Sequence, residues 1–306
     1  MTNESVVHRA TRILPRPHLD RSNQRSDDDE ATTGRAIFKR LAWFVVLAFG
    51  WSWGCWLLAP VARGQSWGGA AGLASGLMFL GGFGTSLAAV GLVGQAGGWA
   101  GLRNWVARGL RWRGGWGWAA VAVGLPLGVM ALAAAVHVGL GGILPPSPVR
   151  GHGLVAAANF GLILVLGGPL GEEFGWRGYA LPVLQERYGW RVGSLVLGVV
   201  WSGWHLPLFF LSNTSQQHIP IALFLVSTTA LSVLFAGLAQ RTAGSLVLAI
   251  LFHTAVNYWS WVVPILPTSG RLRPFALATG LLVLLALALL ARRKQPFTLP
   301  QTPPPA

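Results

Sequence analysis

Acidic side chains are scarce in this chain, and their placement is wrong for a soluble protein. Nine of 306 residues are Asp or Glu, and six of those (Glu4, Asp20, Asp27, Asp28, Asp29, Glu30) fall within the first thirty positions. Further on, only Glu172, Glu173 and Glu186 are acidic. With no Asp after Asp29, an aspartyl dyad inside a hydrophobic region is excluded. The single cysteine, Cys55, excludes an internal disulfide framework and any Cys-x-x-Cys metal site. Lying in an apolar run, it reads as a small buried side chain. The motifs His-Glu-x-x-His, Gly-x-Ser-x-Gly and Gly-x-Ser-Gly are also absent, which removes the common zinc-helix and serine-nucleophile designs.

Only 10% of residues are charged, against about 25% in ordinary soluble domains. Hydrophobic residues make up 53%, with 41 Gly and 16 Trp. Gly and interfacial Trp are both enriched in membrane helices, so this composition predicts an all-α, polytopic transmembrane bundle. Eight runs approach the roughly 20 residues needed to cross a bilayer, near 41–60, 69–95, 116–140, 153–171, 192–211, 218–239, 244–264 and 274–291. The fourth is the weakest, because it contains Gly167-Gly168-Pro169 and runs into two glutamates. Residues 1–34 are polar and without apolar periodicity, and are expected to be a disordered cytoplasmic tail. Their Asp27–Glu30 run reads as solvated charge. Residues 35–294 form one membrane domain, and the Pro-rich 295–306 a second tail.

The net charge of +14 raises the question of nucleic acid. The basic residues, however, sit between hydrophobic runs, where they set topology and meet anionic lipid head groups, so no nucleic-acid partner is expected. One set of flanks carries Arg35, Lys39 and Arg40, then Arg103, Arg108, Arg111 and Arg113, then Arg177, Arg187 and Arg191, then Arg241, and finally Arg292, Arg293 and Lys294. The alternate loops carry Arg63, Arg150, none, and Arg271 with Arg273. The asymmetry predicts both termini on the cytoplasmic side of a bacterial cytoplasmic membrane. Residues 99–113 alternate Trp, Leu and Val with Arg at helical spacing, as an interfacial amphipathic helix would.

Ionisable groups inside a membrane are costly and mark function. Three segments hold them together with partners: Glu172-Glu173 followed by Arg177; Trp201 followed by His205; and His253 followed by Asn257. Glu173 and Arg177 are i and i+4, hence natural ion-pair partners, which leaves Glu172 freer to face a polar cavity. His253 and Asn257 share one helix face by the same spacing. His137 has no such company and reads as a helix–helix hydrogen-bond partner. A carboxylate can take a proton from water, imidazoles can assist it or bind Zn²⁺, and an amide can donate to an oxyanion. The set suits peptide-bond hydrolysis. It also suits a proton relay, the chemistry of a proton-coupled transporter.

In this order on successive runs, Glu-Glu-x-x-x-Arg, aromatic-x-x-x-His and His-x-x-x-Asn resemble the CPBP family, the CAAX prenyl endopeptidases and bacteriocin-processing or Abi-type membrane proteases. The motif core spans about residues 160–260. Trp201 stands where Phe is common, a change expected to affect packing and not chemistry. The resemblance implies an intramembrane endopeptidase with its site near the cytoplasmic side and a peptide or membrane-protein substrate. In it Glu172 activates water, His205 assists or binds metal, and His253 and Asn257 hold a metal or form the oxyanion site. Glu173 and Arg177 position the first glutamate. A divalent metal such as zinc on Glu172, His205 and His253 and metal-free glutamate catalysis both stay open. A non-enzymatic bacteriocin-immunity or scaffold protein of the same fold is the alternative from another class.

Overall fold

The computed structural model describes residues 21–65, 69–268 and 270–292. It is an all-α bundle, with no strand among those residues. Helix α1 (Arg21–Arg63) is followed by α2 (Ala70–Gly81), α3 (Gly84–Gly109), α4 (Gly115–Gly139) and α5 (Gly153–Leu166). Then come the short α6 (Pro169–Gly175), a π-helical turn at Trp176–Ala180, α7 (Leu181–Trp204), a 3₁₀ turn at Leu206–Phe210, α8 (Ile221–Arg241), α9 (Leu246–Val262) and α10 (Arg273–Leu290). Helix α1 starts inside the segment expected to be a tail. The rest of that tail, residues 1–20, and the Pro-rich end beyond Arg292 lie outside the described residues.

Each of the eight hydrophobic runs is helical, but they are not eight uniform spans. By length and apolar composition, five helical stretches can cross a membrane, or six if α2 and α3 count as one span bent by 54°. Runs four and five fall within one broken stretch, Gly153–Phe210, and run seven yields a helix of 17 residues. The chain is an integral membrane protein with several of its apolar helices broken or bent.

Glycine sets two of the interruptions. At Gly98 (φ 55°, ψ −160°) the backbone adopts a conformation closed to residues with a Cβ, and α3 turns. Beyond it Trp105 is buried while Arg103 and Arg108 face outward, the amphipathic pattern expected for 99–113. Gly189 (φ 70°, ψ 169°) breaks α7 in the same way.

Small residues let the central helices approach closely. A Cβ at Gly198 of α7 would lie 2.5 Å from the Thr229 Cα of α8, and beside it Ser232 donates to the Ser194 carbonyl at 2.8 Å. A Cβ at Gly175 of α6 would lie 2.5 Å from the Thr85 carbonyl of α3. Helix α6 is thereby pressed against the α2–α3 elbow, where the Thr85 hydroxyl donates to the Gly171 carbonyl at 3.2 Å.

Contacts between loops define two ends of the bundle. At one end Arg191 donates to the carbonyls of Leu290 and Arg292, Arg113 to that of Ala243, and Ser245 to that of Arg111. At the other, Arg273 donates to the Leu140 carbonyl. The first end gathers the arginine-rich loops. The second gathers the loops at 140–152, 211–220 and 263–272.

Candidate active site

The break between α5 and α6 places the first glutamate. Gly168 has φ +105°, and Pro169 then occupies the first turn of α6, where a missing N–H costs nothing. A Cβ on Gly168 would lie 2.6 Å from Oε1 of Glu172, so only glycine leaves room for the carboxylate to fold back over the chain. The Glu172 N–H donates to the Gly168 carbonyl at 2.9 Å. The sequence reading took Gly167-Gly168-Pro169 only as a weakness of the fourth run. A helix-breaking tripeptide directly before a carboxylate pair was the signal for a built site.

The two glutamates then diverge. Glu172, 5% exposed, accepts a hydrogen bond on Oε2 from the indole N–H of Trp201 at 2.8 Å. Glu173 is fully buried, and its Oε1 meets Arg177 Nη1 at 2.8 Å and His253 Nδ1 at 2.7 Å. The Arg177 guanidinium lies between the ring faces of Trp201 and Phe235, 4.2 and 3.7 Å from their centroids, so cation–π attraction backs the ion pair. Trp201 thus joins both glutamates, one by its N–H and the other through Arg177. Trp201 is expected to differ from a Phe in packing; it also supplies Glu172 with an N–H that no Phe could.

His205 caps α7, with Nδ1 2.8 Å from the Trp201 carbonyl. A carbonyl oxygen only accepts, so Nδ1 carries a proton and a neutral His205 keeps its lone pair on Nε2. His253 is arranged alike, its Nδ1 donating to the Glu173 carboxylate. Asn257, one turn along α9, donates to the Gly167 carbonyl at 3.3 Å and so ties α9 to the break before α6. Glu172, His205, His253 and Asn257 all line one cavity of about 670 Å³, whose walls include Met78, Phe83, Met130, Ile163 and Leu208. Glu173 and Arg177 do not line it. His137 lies apart, its Nε2 3.4 Å from the Ile143 carbonyl.

Such paired imidazoles, each with one nitrogen fixed by an acceptor, are what metal-binding histidines need around them. Among the described residues no group of three or more His, Cys, Asp or Glu side chains could hold a metal ion.

The site residues are spread over the depth of the bundle. The His205 ring packs on Phe224 at 5.1 Å between centroids. Phe224 is in the first turn of α8, and Arg241 ends that helix roughly 25 Å further along its axis. His205 therefore lies toward the arginine-poor end, while His253 sits near the middle of α9 and Phe174, next to Glu173, packs on Trp105 of the arginine-rich 99–113 segment at 5.5 Å between centroids. Sequence order fixes neither where α7 ends nor how far the broken α5–α6 pair dips into the bundle.

Residues 154–259, which hold all three motifs, match the family model of the type II CAAX prenyl endopeptidase, Rce1-like. The chain is also similar to CAAX prenyl protease 2 of Methanococcus maripaludis, 33% identical over 142 residues. That alignment covers 44% of this chain and about half, 51%, of the relative's length. Through this segment the chain is similar to the CAAX prenyl endopeptidases that its three motifs resemble.

Proposed function

We propose that this protein is an intramembrane endopeptidase that hydrolyses a peptide bond by glutamate-activated water. The observation that carries the reading is the unequal treatment of two adjacent carboxylates. Glu173 is compensated by Arg177 and His253, while Glu172 faces a cavity beside two imidazoles and an amide. In this mechanism Glu172 takes a proton from a water in the cavity as the oxygen attacks the scissile carbonyl. Asn257 also lines the cavity, where its amide can donate to the resulting oxyanion and lower the barrier, while the Nε2 lone pair of His205 can accept a hydrogen bond from the attacking water. Glu172 then returns the proton to the departing amine. Glu173, Arg177 and Trp201 hold the carboxylate and His253 in place. No step is routed through a metal, because the donors are not assembled for one.

The substrate is a polypeptide that reaches a largely apolar cavity within the membrane. Quantitative comparison of membrane proteomes from cells carrying wild type or Glu172→Ala tests the reading. The expected outcome is at least one polypeptide that accumulates uncut with the variant, together with loss of its shorter product. Identical proteomes at equal protein levels would overturn it. Cleavage of that substrate by purified protein after exhaustive chelation is expected to persist.

A further inference from the structure

We propose that residues 99–116 form a docking surface for anionic phospholipid head groups, and that lipid held there braces the elements carrying the candidate active site. The docking rests on charge and placement; its effect on cleavage rests on the protease reading above.

Residues 99–109 close α3 beyond its bend at Gly98, and α4 starts at Gly115. The segment thus lies between two apolar stretches, at the depth where helices leave a bilayer. Gly114 and Gly115, with φ of 97° and 75°, turn the chain at its end. Just before that turn the Ser245 hydroxyl donates to the Arg111 carbonyl at 3.1 Å, and Arg113 donates to the Ala243 carbonyl at 2.9 Å. These bonds lay the segment across the α8–α9 loop, beside Arg241, whose guanidinium carbon is 5.8 Å from the centre of the Trp118 ring.

Its charge selects the partner. Arg103, Arg108 and Arg111 are exposed, as are Trp99, Trp112 and Trp116. Trp112 and Trp116 pack on each other at 5.0 Å between centroids. Arginine beside exposed indole suits a segment lying in the head-group layer, with rings at the apolar boundary and guanidinium groups on phosphate. Carboxylates do not compete. Among the described side chains Glu186 is the one exposed carboxylate, and none of these arginines forms an ion pair. The planar guanidinium fork matches phosphate oxygens. An integral protein always has a bilayer at this depth, so the phosphate is that of an anionic lipid and not of a soluble ion.

The inner face of the segment reaches the site. Trp105 is buried, donates to the Gly178 carbonyl at 3.0 Å and packs on Phe174, the neighbour of Glu173. A Cβ at Gly109 would lie 2.6 Å from the Leu246 side chain, and one at Gly178 3.1 Å from the same side chain. Leu246 opens α9, which carries His253 and Asn257. The segment therefore presses at once on the π-helical turn after α6 and on the start of α9. Those elements follow or hold Glu172, Glu173, His253 and Asn257. Close-packed interiors transmit displacement, so a lipid that fixes the outer face steadies the inner one.

The test uses the full-length protein in vesicles of phosphatidylcholine, or of an equimolar mixture with phosphatidylglycerol. Lipid retained after mild delipidation is counted by native mass spectrometry. Wild type should keep phosphatidylglycerol in preference to phosphatidylcholine. An arginine near an anionic surface contributes about fivefold, so Arg103→Gln/Arg108→Gln/Arg111→Gln should lower the preference by at least about tenfold. Lysine at the same three positions keeps the charge and should keep most of the preference. Arg63→Gln/Arg150→Gln, at exposed positions elsewhere, should change nothing. Wild-type retention in the triple glutamine variant overturns the docking surface, and so does an equal loss in the Arg63/Arg150 pair. Arg103→Gln/Arg108→Gln replaces the triple variant if that fails to accumulate. For the bracing, phosphatidylglycerol added in detergent should raise the thermal stability of wild type and not of the glutamine variant. It should also speed wild-type cleavage of the substrate found by proteomics several-fold. Equal stability shifts, or equal wild-type rates in the two kinds of vesicle, overturn the bracing. Either result leaves cleavage itself standing, and absence of cleavage in every lipid breaks the protease reading instead. Acceleration by inorganic phosphate in phosphatidylcholine vesicles would overturn the assignment to a lipid.

Discussion

The two halves of the site differ more than their adjacent positions in the chain suggest. Toward the arginine-rich end, Glu173, Arg177 and His253 form a closed cluster in which each charge has a partner and aromatic faces keep water out. Toward the opposite end, Glu172 has one protein donor, the Trp201 N–H, and an open cavity in front of it. The first half pairs its charges with one another, and of its three residues only His253 also lines the cavity. The second keeps groups available for a reacting molecule. A chain with almost no acidic residues in its membrane region places two in succession, to which the proposed mechanism gives one task each, and the roughly 100° between neighbours on a helix separates them.

The sharpest way to break this comparison is Glu172→Gln. The amide keeps size and can still engage Trp201, but it cannot take a proton. General-base catalysis typically contributes 10²–10⁴-fold, so cleavage should fall by about that factor while the protein inserts and folds. Cleavage of an identified substrate, normalised to folded protein, is the measurement. Wild-type rates in this variant would end the division of labour proposed for the two carboxylates.

Next in size is Glu173→Gln, which should act on stability first. Removing one partner of a buried ion pair leaves an uncompensated charge, at a cost of about 3–5 kcal/mol in soluble proteins. Here both Arg177 and His253 lose the carboxylate. We expect a clear drop in thermal stability in detergent, with residual cleavage by the fraction that stays folded. A variant as stable as wild type but inactive would move Glu173 from positioning to chemistry.

Much of this arrangement was legible in the sequence, and the rest was not for physical reasons. The apolar runs announced the helices because a bilayer demands apolar surface and internal backbone hydrogen bonding. The i, i+4 spacing of Glu173 with Arg177 announced their pair, now seen at 2.8 Å. The link between Glu173 and His253 spans eighty positions and could not be read from local spacing. Gly168 looked like a defect until the Glu172 carboxylate was seen beside it. Tryptophan misled most. Trp43, Trp99 and Trp116 are exposed as interfacial residues would be, but Trp56, Trp176, Trp201 and Trp204 are buried around the site. Composition counts an indole without saying which way it faces.

The smallest expected effect decides whether Trp201 belongs to the chemistry or only to the packing. Trp201→Phe keeps an aromatic face over Arg177 and removes the N–H that holds Oε2 of Glu172 at 2.8 Å. Hydrogen bonds to charged groups contribute about 1.5–3 kcal/mol, and if half of the lower figure orients the base in the transition state, kcat falls roughly threefold, rising to tenfold or more if all of it does. KM should stay within about twofold, since the ring does not donate to substrate. Phenylalanine is also smaller than tryptophan, so a slow variant alone would not separate the two explanations. Replacing Trp201 by 3-benzothienylalanine does, because sulfur takes the place of the N–H while shape and ring area are nearly kept. If the hydrogen bond matters, both variants lose kcat, and the isostere keeps its thermal stability. If phenylalanine slows the enzyme and the isostere does not, the residue acts by packing, as the sequence reading supposed. In that case the two carboxylates are less tightly joined than the shared indole implies.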